Sequence, residues 1–110
     1  MEAREVVWMA TRGGAHALGL ADQLGKVAEG YLADLITLDL DEVGTTPGGD
    51  LYANIVYAAE RSCIQDVMVQ GRWLMKNRSL LTLNPSEIVP AVRREGKQVF
   101  ARAGLSGLWS

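Results

Sequence analysis

The side chains able to do chemistry in this chain are few and scattered. His16 is the only histidine and Cys63 the only cysteine. Water activation by a divalent ion needs at least three protein ligands, and a solitary imidazole without a neighbouring His, Cys or carboxylate at ligand spacing does not supply them. His16 reads as an ordinary helix residue. Cys63 reads as small half-buried filler, since a thiol nucleophile needs a His beside it and no disulfide partner exists. Asp34, at the entrance to an extended run, reads as a hydrogen-bond acceptor for nearby backbone N–H groups. Asp39, Asp41 and Glu42 form a small acidic cluster without the ordered ligand loop of a calcium site, and read as solvated. The glycines at Gly13-Gly14 and at Gly25 and Gly30 invite a phosphate-loop reading. However, Gly25-Lys26 lacks both the earlier glycine and the following hydroxyl residue of that motif, so turn geometry explains them. Trp8, Trp73 and Trp109 fall on three separate elements and read as packing residues. The expected inventory is therefore no catalytic, no cofactor-binding and no metal-ligating residue.

The elements that would carry these residues are legible from periodicity. Glu2 to Gly19 has Val6, Val7, Ala10, Ala17 and Leu18 on one stripe at helical spacing. Gly13-Gly14 inside it predicts a break or a close neighbour, and Gly19 a C-terminal cap. Leu20 to Leu32 predicts turns around one short extended piece. Ala33 to Asp41 predicts a strand with Ile36, Leu38 and Leu40 on one face and Thr37, Asp39 and Asp41 on the other. Gly44 to Asp50 predicts a loop, and Leu51 to Glu60 a short helix. Residues 64–76 predict a hairpin turning at Gln70-Gly71, with a second turn at Asn77-Arg78-Ser79. Asn84 or Ser86 can cap a last helix running to about Ala103; Pro90 favours Ser86, because from Asn84 the proline falls deeper and removes a helix bond. Arg93, Arg94, Glu95 and Lys97 are its wet face. The tail from Gly104 is expected to be loose.

Composition bounds the rest. The 110 residues are 48% hydrophobic and 22% charged, with formal net charge −2, which describes an ordinary globular chain. Without a strong positive field, nucleic-acid binding is not expected. No apolar run reaches membrane-span length, no basic start precedes an apolar core, and cytoplasmic residence is the default expectation. One imbalance stands out. A few strands and a broadly apolar first helix need a surface to cover that nothing later in the chain obviously supplies.

Three stretches carry a resemblance. Met9-Ala10-Thr11-Arg12-Gly13-Gly14-Ala15-His16-Ala17-Leu18-Gly19-Leu20, followed by Asp22, resembles the last barrel helix of the amidohydrolase superfamily, in the branch of cytosine deaminase-like, guanine deaminase-like, adenosylhomocysteine deaminase-like and chlorohydrolase-like proteins. Leu24-Gly25-Lys26 through Gly30 to Ala33-Asp34-Leu35-Ile36 is similar to that family's entry into its C-terminal β-domain. Asn54-Ile55-Val56-Tyr57-Ala58-Ala59 with Val67-Met68-Val69-Gln70-Gly71-Arg72 looks like its short helix and closing hairpin. Tyr31 and Leu32 depart from the family's lysine and polar residue, and Gln70 from its usual aspartate or asparagine.

The resemblance implies an α+β fragment: the last helix of a (β/α)8 barrel (1–20), the C-terminal part of a composite β-sandwich with short helix 51–60 and hairpin 64–76 (21–83), and a terminal helix with tail (84–110). It implies a parent that uses one divalent metal, zinc or iron, to deaminate or dechlorinate a nitrogen heterocycle. All of the parent's ligands would lie upstream, and the partner of this segment would be the missing barrel. The rival expectation is a stand-alone binding module that self-associates through helix 2–19.

Overall fold

The computed structural model describes residues 1–41 and 49–108. Glu42 and the loop expected from Gly44 lie outside them, apart from Gly49 and Asp50, as does Trp109. The chain divides into two units, 1–79 and 80–110.

The first helix runs as α1 (Ala3–Trp8), widens into a π-helical turn at Met9–Gly13 and closes as α2 (Gly14–Ala17). The Glu5 carboxylate accepts from the Glu2 N–H at 2.9 Å, satisfying one of the donors that every helix start leaves free. At the other end the Gly19 N–H donates to the His16 carbonyl and the Leu20 N–H to the Ala15 carbonyl. With Gly19 at φ +70°, this is the expected left-handed glycine cap. The glycine pair does not break the helix. A Cβ on Gly13 would lie 3.0 Å from the Trp8 ring, so the missing side chain makes room for the indole of the same helix. The stripe is shifted from expectation: Ala3 and Ala15 are buried, Val6 and Val7 half-buried, and Ala17 and Leu18 exposed.

Residues 20–34 fold back in successive turns with no strand, so the short extended piece is absent. The Leu32 N–H donates to the Gln23 carbonyl at 2.9 Å, and the Tyr31 hydroxyl to the Ala21 carbonyl at 3.2 Å. Gly25, at φ +91°, packs against the first helix so closely that a Cβ would lie 2.9 Å from Arg12 Cα and 3.0 Å from the Thr11 carbonyl oxygen. Both the backbone angle and the approach demand glycine there.

The sheet has the order β1-β2-β3-β4, made of β1 (Leu35–Leu38), β2 (Ile64–Val69), β3 (Arg72–Lys76) and β4 (Ser79–Leu80). The hairpin over 64–76 turns at Gln70-Gly71, with φ of 48° and 76°, the doubly left-handed turn that matches strand twist. β1 pairs antiparallel with β2, Leu35 against Met68 and Thr37 against Asp66, then shifts so that Leu38 meets Ile64. That bulge leaves Gln65 as the extra residue; beyond it the Asp39 N–H still donates to the Cys63 carbonyl at 2.7 Å, and β1 is shorter than the expected 33–41. The expected buried face is also open in part: Ile36 is 58% exposed, because no described layer covers it.

The short helix starts as α3 (Leu51–Ala53), capped by the Asp50 carboxylate accepting from the Tyr52 N–H, and ends as a π turn at Asn54–Ala58, two residues before the expected Glu60. It packs beside α1, and the Arg4 guanidinium lies 5.0 Å from the centre of the Tyr52 ring. The second unit is dominated by α4 (Pro85–Arg102). Its cap is Asn84, which accepts from the Ser86 N–H at 3.1 Å and donates to Glu87 at 2.9 Å. Pro90 therefore sits inside the helix, contrary to the Ser86 start, and the loss of one internal bond is tolerated. After α4, Gly104 and Leu105 donate to the Ala101 and Phe100 carbonyls, and a 3-10 turn follows at Ser106–Leu108.

Burial is thin. Among the described residues only Ala3, Ala15 and Cys63 are buried. Large apolar side chains are open, among them Trp8 at 49%, Leu18 at 72% and Trp73 at 40% exposure.

Two glycines of the first unit should answer oppositely to alanine. Gly25→Ala should destabilise by about 2–4 kcal/mol, from the positive φ and the backbone overlap. Gly14 has helical angles, and a methyl added to it would meet only the Met9 carbonyl oxygen, at 3.6 Å. Gly14→Ala should therefore stabilise by about 0.5–1 kcal/mol. Urea midpoints of the two variants measure both; equal shifts would contradict the packing described.

Candidate functional site

Several carboxylates of the first unit are held in structural contacts. The Asp34 Oδ1 accepts from the Gln70 N–H at 2.7 Å, and beside it the Gly71 N–H donates to the Ala33 carbonyl at 3.1 Å. The Ala33-Asp34 pair thus clamps the tip of the hairpin to the start of β1. This is the backbone-acceptor role expected from the sequence, spanning 36 residues.

A second clamp holds the turn between β3 and β4, where Asn77 and Arg78 both adopt positive φ, 47° and 64°. Asp66 accepts from Thr37 Oγ1 at 2.5 Å and from the Asn77 N–H at 2.9 Å, so one carboxylate joins β1, β2 and the turn. The bulge at Gln65 turns its carbonyl to the Arg78 N–H at 2.8 Å. The Arg78 side chain donates through Nε to the Ser62 carbonyl at 3.0 Å and reaches Asp39 at 3.6 Å. Asp39 is thus half-buried and ion-paired, where full solvation was expected. Its other oxygen accepts from the Asp41 N–H at 3.1 Å. The importance of Asp66 is hidden in an alternating strand pattern; an aspartate between Gln65 and Val67, facing a threonine, is the one signal that could show it.

The Thr37 hydroxyl and then the Asn77 N–H hold the Asp66 carboxyl below its ordinary range, against an opposing effect of desolvation and with a lesser contribution from the Lys76 charge. A carboxyl whose folded pKa is depressed stabilises the fold above its unfolded pKa near ~3.9, and that stabilisation disappears as pH falls through the lower folded value.

His16 is exposed and stacks on Trp8, ring centres 6.4 Å apart at 27°. Cys63 is buried at 2% exposure, deeper than the half-buried filler expected. Trp8 and Trp73 lie on different elements, the first helix and β3.

One concavity of the first unit is an open groove of about 460 Å³ lined mostly by apolar groups, including Gly14, Leu18, Val27, Leu35 and Ile36, with Thr11, Lys26 and Asp34 as its polar side chains. Its one carboxylate, Asp34, is already committed to Gln70. A catalytic pocket gathers convergent polar groups around a nucleophile, base or metal, and no His or Cys lines this groove. No group of three or more His, Cys, Asp or Glu side chains that could hold a metal ion exists among the described residues. The donor set does not fit a catalytic zinc site. No helix among the described residues is long and apolar enough to cross a membrane.

Comparison with known proteins places this geometry. The model of the amidohydrolase family matches residues 1–74. The chain is 35% identical over 102 residues to a 5-methylthioadenosine/S-adenosylhomocysteine deaminase of Syntrophomonas wolfei, covering 93% of this chain and 24% of that protein. It is 39% identical over 107 residues to an S-triazine hydrolase of Gordonia rubripertincta, covering 94% and 22%. Among solved structures, a zinc-bound adenosine deaminase from Xanthomonas campestris superposes with TM-score 0.86 at 30% identity, covering 91% of this chain and 23% of that one. A zinc complex of atrazine chlorohydrolase from Arthrobacter aurescens gives TM-score 0.75 at 31% identity, covering 86% and 20%. The chain thus spans between a fifth and a quarter of the length of these relatives.

Two outcomes follow from the site as described. The stability gap between the wild type and Asp66→Asn should be widest near neutral pH and close below about pH 4; a gap independent of pH in urea titrations would remove Asp66 from the clamp. Desalted 110-residue chain, measured by plasma mass spectrometry, should retain well under one equivalent of zinc or iron, and a stoichiometric metal would contradict the donor inventory. By the match over residues 1–74 and relatives at 35–39% identity, this chain belongs to the amidohydrolase family.

Proposed function

We propose that this chain is the C-terminal structural part of a metal-dependent hydrolase that acts on a carbon–nitrogen or carbon–halogen bond of a nitrogen heterocycle, most nearly a nucleobase or nucleoside deaminase. The relatives support the substrate class: they are named as deaminases of adenine nucleosides and as hydrolases of triazines. On this reading the first helix is the last helix of a (β/α)8 barrel, and the four-stranded sheet is the C-terminal share of a small β-sandwich. The cation-binding residues, and the chemistry of a polarised water attacking the ring carbon, belong to the rest of such an enzyme. This chain contributes position: the first helix, the turns of residues 20–34 and the two carboxylate clamps hold one wall in place.

The single observation that carries the reading is a pairing of facts. The chain has a family fold over most of its length, yet its described residues offer no group that could hold a metal.

The test is a chimaera in which this chain replaces the matching last quarter of the S. wolfei deaminase. It should be soluble and release ammonia from methylthioadenosine with the pH profile of that parent, because no residue taking part in proton transfer has been exchanged. Truncating the same quarter without replacement should yield an unfolded or aggregated product. A truncated enzyme that stays folded and active would defeat the proposal.

A further inference from the structure

We draw no further inference here: the strongest candidate, the exposed apolar face of α4 formed by Ile88, Val92 and Val99, carries nothing, because nothing in the structure shows what covers it.

Discussion

The constraint on which the rest of this structure depends is uncovered apolar surface. A folded chain is stabilised chiefly by removing apolar area from water, at roughly 25 cal/mol per Å². Here just three small side chains are buried among the described residues, while tryptophans, leucines and an isoleucine remain open. Composition does not explain this, since 48% hydrophobic residues would furnish an ordinary core. Many apolar side chains instead face outward, and Leu35 and Ile36, successive residues of β1, are both exposed.

With so little core, the shape of the first unit depends on polar clamps and close backbone approach. Asp66 links two strands and a turn whose residues, Asn77 and Arg78, both sit in left-handed conformations. Such angles cost a non-glycine residue about 1–2 kcal/mol and persist where several bonds determine them. Four do here, from Asp66, Gln65, Ser62 and Asp39. The partly exposed Asp39–Arg78 pair contributes little by charge alone; its value is geometric, as one of several contacts that fix Arg78. Gly25 adds a different device, a backbone touching a backbone, which sets the distance between the turn segment and the first helix more tightly than side chains would.

The legible parts of this fold are those governed by local rules. Gly19 as a cap, Gln70-Gly71 as a hairpin turn and the limits of the hairpin follow from φ preferences and period-two alternation, and they stand in the structure as read. The parts that differ from expectation depend on contacts far apart in sequence or on a partner. The bulge opposite Thr37 and Leu38 does not show in the alternation of β1, because its extra residue, Gln65, belongs to the opposite strand. The start of α4 defies the apparent veto of Pro90, because Asn84 with Glu87 makes a cap strong enough to carry the helix through it. Ile36 is uncovered because alternation names a face without saying whether anything lies against it. For the site, the backbone-acceptor role of Asp34 is readable from its place at the strand entrance. The roles of Asp66 and Arg78 are not, since they emerge from register.

These observations bear on how a segment without chemistry can matter to chemistry. Effective catalysis requires reacting groups to be held within a fraction of an ångström, and rigid walls set that tolerance. The carboxylates of the sheet are spent on hairpin tips and turns, and the only imidazole stacks on an indole. These polar groups fix hairpin tips and turns, while apolar side chains such as Ile36 stay exposed. A catalytic site shows the opposite allocation, with polar groups converging on an open cavity and apolar groups buried behind them.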